Sequence, residues 1–247
     1  MIVIPMAGLS SRFFNAGFNK PKYMLEAHGK TLFEYSVESF KAYFDTDTFL
    51  FIVRSAYGTP EFVKQKSIEL GIKTFSIVTL DHDTRGQAET VYLGLRNIID
   101  NEQVDREQEV TIFNIDTFRP NFINPSIPTT SDGYLEVFKG SGENWSFALP
   151  ESESSTKVIK TAEKKQISDL CSTGLYQFKN CSIYFKAFEE YLSLPMKEWE
   201  KGELYIAPIY NTLINKGYTI HYHLINESDV IFCGTPDEYN QLLNKSK

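Results

Sequence analysis

Residues 1–25, MIVIPMAGLSSRFFNAGFNKPKYML, constrain the fold more than any other stretch of the 247-residue chain. Met1–Pro5 is apolar, largely β-favouring and ends near an Ala-Gly pair, so it reads as the first strand of a parallel sheet running into a sharp turn. The turn is equipped to hold phosphate. Ala7 and Gly8 bring the backbone close to a ligand, and Ser10, Ser11 and the free N–H groups of the loop can donate to phosphate oxygens. Arg12 and Lys22 add positive charge. Asn19-Lys20-Pro21 ends any helix ahead of Lys22 and fixes how that side chain is presented.

The remainder of the chain supports a globular α/β protein. Hydrophobic residues make up 42% and charged residues 23% of the sequence, enough to bury a sizeable core. A formal net charge of -7 argues against a broad nucleic-acid surface, whose phosphates it would repel, but leaves room for a small anion held by a local cationic loop. No basic segment followed by an apolar run suggests a signal peptide, and no apolar stretch approaches the roughly 20 residues of a membrane span. Cys171, Cys181 and Cys233 are odd in number and lack CxxC spacing, which predicts reduced thiols and a cytoplasmic setting. The three Asn-x-Ser sequences at 144, 180 and 226 then carry no glycan.

Alternating strand and helix patterns run through residues 1–132. Thr31 and Glu34 have capping-box spacing and open a long helix carrying Leu32, Tyr35, Val37, Phe40 and Tyr43. Residues 48–53 read as a buried strand, Thr59-Pro60 caps and opens a helix that Gly71 ends, and Ile72–Leu80 reads as the next strand. A loop over 81–85 leads into a helix from Gly86, and Val110–Asn114 forms a strand ending at Asp116. The pattern predicts a Rossmann-like, doubly wound, mostly parallel sheet. Ligands sit at the carboxyl ends of strands in such sheets, which gives Asp116 weight. Residues 133–247 are richer in strand: Tyr134–Phe138, Ser146–Leu149, Lys157–Thr161, Gly174–Phe178, Tyr218–Leu224 and Val230–Cys233, with helices over Ile183–Leu194 and Leu204–Ile214 and from Pro236. No linker or repeat divides the chain, so a single domain over 1–247 is expected.

The order A-G-x-S-S-R-F followed by P-K-Y-M-L resembles the signature of the nucleoside-diphosphate-sugar pyrophosphorylases, also called sugar-1-phosphate nucleotidylyltransferases. Later segments extend the resemblance over nearly the whole chain. Arg85-Gly86-Gln87-Ala88-Glu89-Thr90-Val91 resembles the family's base-contacting glycine segment, and Asn114-Ile115-Asp116 its magnesium-binding strand end. Glu163-Lys164, Ser168 and Gly174-Leu175-Tyr176-Gln177-Phe178 resemble its sugar-phosphate block, while Gly202-Glu203-Leu204-Tyr205 and Cys233-Gly234-Thr235-Pro236 resemble two further segments. The resemblance implies a GT-A-like nucleotidyltransferase fold, with 1–132 as the nucleotide-binding half and 133–247 as the sugar-phosphate-binding half. It implies that Arg12 meets the β/γ-phosphates, Lys22 the reacting phosphates and Gly86 the base. Asp116 would hold Mg²⁺, Glu163 and Lys164 the sugar phosphate, with Gly174 beside them. A nucleoside triphosphate and a sugar 1-phosphate would be the partners, possible assembly as a homo-oligomer is compatible with it, and surface-polysaccharide biosynthesis is the expected setting.

Two positions depart from the family pattern. Phe232 stands where an aspartate commonly supplies the second metal ligand, which turns attention to Asp229 and Asp237, or to one aspartate plus nucleotide oxygens and water. Asp81 stands where a glutamine commonly reads the base. A carboxylate there accepts from guanine or cytosine donors and repels uracil carbonyls, which favours GTP or CTP over UTP. His221 and His223 share one strand face but have no Cys or Asp set nearby to complete a zinc site. A nucleotide-sugar-dependent glycosyltransferase would want a D-x-D pair, and the chain has Asp116-Thr117-Phe118. A non-catalytic nucleotide or sugar-phosphate binding module is the other alternative, favoured by Phe232. Release of pyrophosphate separates the three readings.

Overall fold

The N-terminal apolar run becomes a strand because both of its faces find a core. In the computed structural model, which describes residues 1–101 and 104–245, strand β1 spans Ile2–Pro5 and is wholly buried. Ile2 and Ile4 join a cluster with Phe33, Val37, Phe40 and Val63, whereas Val3 joins another with Val91, Leu95 and Ile98. That alternation is the two-residue period of a strand in a sheet covered on both sides. Helix α1 (Ser11–Asn15) follows the loop, then a small ribbon of β2 (Glu26–Ala27) and β3 (Lys30–Thr31).

The capping box at Thr31 is formed, with Glu34 returning a bond to the Thr31 N–H, but the helix it opens is short. Helix α2 covers Leu32–Val37, and Glu38–Tyr43 continues as a 3₁₀ segment broken at Phe40, φ -102°. The Phe40 ring is fully buried against Phe113 and Phe122. Strand β4 (Thr48–Arg54), helix α3 (Thr59–Leu70), strand β5 (Thr74–Leu80), helix α4 (Gln87–Asp100) and strand β6 (Val110–Phe113) complete this half. Gly58 caps α3 in place of Thr59, whose hydroxyl instead donates to the Ala56 carbonyl. The strands pair in parallel in the order β5-β4-β1-β6.

The second half extends the same sheet. After β7 (Thr117–Phe118) come β8 (Gly133–Lys139), β9 (Ser146–Pro150), β10 (Lys157–Glu163) and β11 (Leu170–Phe178). Helices α5 (Cys181–Ser193) and α6 (Ile209–Asn215), strands β12 (Ile220–Ile225) and β13 (Ile231–Phe232), and helix α7 (Pro236–Asn244) follow. The full order is β5-β4-β1-β6-β11-β8-β12-β10-β9, nine strands. Beyond β6 the pairings are antiparallel except β8 with β12, so the sheet is mixed and the expected parallel character holds for its first four strands only. The reason is the loops: β9, β10 and β11 follow one another too closely for helical crossovers, so the chain must double back. The helix expected from Leu204 begins only at Ile209, after Pro208, because a residue preceding proline avoids the helical region. All three cysteines are free and buried. No helix among the described residues is long and apolar enough to cross a membrane.

Candidate active site

The carboxyl ends of β1 and β6 place the phosphate loop beside Asp116. Ser10 takes a left-handed conformation, φ 52° and ψ 29°, and its hydroxyl accepts the Lys22 N–H at 3.2 Å. Pro21, at φ -55°, leads into the 3₁₀ turn Lys22–Met24, so both ends of the Lys22 backbone are tied. The Lys22 ammonium reaches across to Asp116, with Nζ 2.5 Å from Oδ2. Burial pushes the Asp116 carboxyl up, but Lys22 and then Arg12 outweigh it and hold the group below the usual carboxylate range. Asp116 is therefore ionised at neutral pH.

Two compartments meet at this pair. The larger, about 520 Å³, is lined by Ala7, Gly8, Ser10, Lys22, Thr84 and Gly86 among others. The smaller, about 280 Å³, includes Arg12, Trp145, Ser146, Glu163, Gly174 and Tyr205. Gln87, Asn114 and Asp116 line both, and Gln87 Nε2 donates to Asn114 Oδ1 at 2.5 Å, so these residues form the wall between them. Ser11 and Arg12 line a third recess with Lys22, Asp116 and Gly234.

Two glycines are required by contacts behind the cleft. Gly86 has φ 150°, and a Cβ there would stand 2.5 Å from the Leu204 carbonyl oxygen and 2.7 Å from its nitrogen. The closeness comes from two backbone bonds, Leu204 N–H to Arg85 O and Ala88 N–H to Leu204 O, each 2.9 Å. Gly174 sits at φ 92° in a bulge of β11, where a Cβ would lie 2.3 Å from Asn114 Nδ2. It thereby leaves room for the side chain that divides the compartments.

In the smaller compartment, Glu163 is buried, receives the Ser146 hydroxyl and sits beside Tyr176, which bonds the same serine at 3.1 Å. Burial pushes its carboxyl above the usual range, against the pull of Ser146 and Lys164. Lys164, held at φ 54°, does not line the compartment: its Nζ lies 2.5 Å from the Tyr205 hydroxyl, and it is Tyr205 that faces the space. Asp81 is exposed and lines neither compartment, whereas Asp83 and Thr84, two and three residues on, line the larger one. Asp83 is paired with Arg54. The strand β5 ends at Leu80, and the loop has to turn before it meets the cleft.

Neither expected second metal ligand reaches the site. Asp229 receives the Asn226 N–H at 3.2 Å in a capping box, and Asp237 is exposed on α7; neither lines the compartments. Among the described residues no group of three or more His, Cys, Asp or Glu is arranged to hold a metal. Mg²⁺ asks for less, since one or two carboxylates plus substrate phosphates and water suffice, and an ionised Asp116 at the junction of the compartments fits that demand.

Gln87, Asn114, Ser146, Tyr176, Tyr205 and Glu238, to which the sequence motifs attach no role, all line the smaller compartment. Gln87 and Asn114 were signalled only by standing next to Gly86 and two residues before Asp116. No family model and no curated protein matches the chain. Solved structures do. A nucleoside-diphosphate-sugar pyrophosphorylase from Vibrio cholerae RC9 is 62% identical, with a TM-score of 0.96 over 99% of this chain and 100% of that one. An inositol-1-phosphate CTP transferase from T. maritima (15% identical, TM-score 0.71, 99% and 94% covered) and a UDP-glucose pyrophosphorylase from Acinetobacter baumannii (15%, 0.69, 98% and 91%) share the fold. At 62% identity over nearly the whole of both chains, the chain belongs to the nucleoside-diphosphate-sugar pyrophosphorylase family.

Proposed function

We propose that the protein is a nucleotidyltransferase that joins a sugar 1-phosphate to a nucleoside triphosphate, releasing pyrophosphate and forming a nucleotide-activated sugar. The observation that carries this reading is the Lys22–Asp116 pair at the junction of two compartments, with Arg12 in the adjoining recess. A binding module needs one compartment; group transfer between two substrates needs two that touch.

In the reaction an oxygen of the phosphomonoester attacks the α-phosphorus, a new P–O bond forms and the bond to the pyrophosphate oxygen breaks. A monoester phosphate, with a second pKa of about 6, is already largely dianionic at neutral pH and needs no general base. The protein's task is to align two anions that repel each other and to neutralise charge gathering on the bridging and leaving oxygens. Lys22 and Arg12 do this from the phosphate loop, and Ser10, Ser11 and the loop N–H groups orient the triphosphate tail. Mg²⁺, held at Asp116, would supply further charge neutralisation on the triphosphate. Gly86 and the 83–84 loop border the base, and Glu163 with Ser146 and Tyr205 receives the sugar. The reading carries with it the GT-A-like description of the fold and a cytoplasmic setting.

The test is pyrophosphate release from each of the four common nucleoside triphosphates with a panel of sugar 1-phosphates and Mg²⁺. Release that depends on one sugar phosphate supports the reading. Transfer of sugar from a nucleotide sugar with no pyrophosphate formed, or binding without turnover across the panel, would reject it.

A further inference from the structure

The cation expected at Asp116 lacks its usual second carboxylate because Phe232 occupies that place in the sequence. The Phe232 ring lines the smaller compartment and offers it no oxygen, packing with its centroid 4.6 Å from Trp145 and 5.3 Å from Phe138. Glu238, on the first turn of α7, does share the smaller compartment with Asp116. Gly234 lies between the two carboxylates. A Cβ added to it would stand 2.9 Å from Asp116 Oδ2 and 3.8 Å from Glu238 Oε2, so the two carboxylates flank the bare glycine backbone and a side chain there would press on Asp116.

Glu238 is also held for the purpose. Its Oε2 accepts the N–H groups of Gly234 and Thr235, at 2.8 and 2.9 Å, which closes the capping box with Thr235 and fixes the side chain. Its Oε1 accepts no hydrogen bond among the described residues. One oxygen suffices for the cap, and the other is the type of donor a hard divalent cation takes. We propose that Glu238 is the second protein ligand of the divalent cation, supplying the oxygen that Phe232 cannot. The assignment rests on the nucleotidyltransferase reading and replaces Asp229 and Asp237 in it.

Mn²⁺, read by its paramagnetic resonance signal, tests the assignment without turnover. Its affinity is measured for the full chain, with and without a nucleoside triphosphate, in the unsubstituted protein and in Glu238→Gln, Asp116→Asn and Asp237→Asn. Gln keeps the capping oxygen and removes only the charge, so Glu238→Gln should melt within about 2 °C of the parent. Since even outer-shell partners of a metal are worth about 10–100-fold in affinity, Glu238→Gln and Asp116→Asn should each weaken Mn²⁺ by at least about tenfold, and Asp237→Asn should leave it unchanged. A folded Glu238→Gln protein that binds Mn²⁺ like the parent overturns the assignment while leaving the nucleotidyltransferase reading intact. Failure of the parent itself to bind Mn²⁺ with any triphosphate would overturn the metal role as a whole.

Discussion

Replacing Gly86 by alanine distinguishes two reasons for a glycine at the edge of the nucleotide cleft. If glycine is needed only so that a base can approach, Gly86→Ala folds normally and raises the KM for the triphosphate. The contacts behind the cleft predict more. The added methyl would meet the Leu204 backbone at 2.5–2.8 Å, and backbone cannot swing aside as a side chain tip can. A left-handed conformation costs a non-glycine residue about 1–3 kcal/mol. Overpacking costs a further 1–3 kcal/mol or about that. Relief by separation would weaken the two bonds to Leu204, each worth about 1 kcal/mol. The expected loss is therefore about 2–6 kcal/mol, a large part of a total stability of about 5–15 kcal/mol. For a chain of this length each kcal/mol moves the melting temperature by about 2–4 °C, so a fall of roughly 5–20 °C is expected by calorimetry. The Leu204 segment also carries Tyr205, so KM for the sugar phosphate should rise along with that for the triphosphate. A variant that melts with the parent and changes only the triphosphate KM would refute the reasoning.

The phosphate-loop cations and the buried acceptor carboxylate give two further expectations. Lys22→Ala and Arg12→Ala should each lower kcat by about 10²–10³-fold while far-ultraviolet circular dichroism stays unchanged, because both side chains serve the cleft and neither belongs to a core cluster; near-native turnover in Lys22→Ala would remove the central assignment. Burial raises the Glu163 carboxyl in the folded state, so the folded protein binds more protons there than the unfolded chain does over the window from the ordinary glutamate range up to the folded value. Its contribution to stability is then greatest when protonated and falls as pH rises through that window. Unfolding titrations in denaturant at several pH values should show the parent gaining stability relative to Glu163→Gln on acidification from neutral pH, and a difference that is flat or of opposite slope would contradict the burial of that group.

The first half of the chain was legible because its signals are local. A strand period, an Ala-Gly turn and a proline before Lys22 each act within a few residues, and the structure builds β1, the loop and the Lys22 turn where those signals fall. The same logic singled out Asp116, a carboxylate just past a buried strand, and it lines both compartments. Counting residues along a loop was less secure: the loop after β5 brings Asp83 rather than Asp81 to the cleft, because the distance between strand end and cleft depends on how the loop turns. The α2 region failed for a different reason. Its capping box formed, but burial of Phe40 against rings from distant parts of the chain outweighed continuation of the helix.

The second half was less legible because the smaller compartment is made by contacts that sequence spacing does not encode. The Glu163 N–H donates to Glu200 Oε2 at 2.5 Å, and Lys164 reaches Tyr205, while Leu204 next to it is bonded to Arg85 and Ala88 on the nucleotide side. Residues 200–205 thus hold the floor of one compartment with one set of bonds and the rim of the other with a second. In this arrangement Lys164, whose phosphate role is implied by the family resemblance, rests against Tyr205. It also explains why Gly86, at the edge of the larger compartment, is shaped by Leu204, whose neighbour Tyr205 lines the smaller one. If the proposed substrates occupy the two compartments, a substitution on either side of this segment should be felt on the other through these backbone bonds, and a KM for one substrate that shifts alone in Gly86→Ala would count against that link.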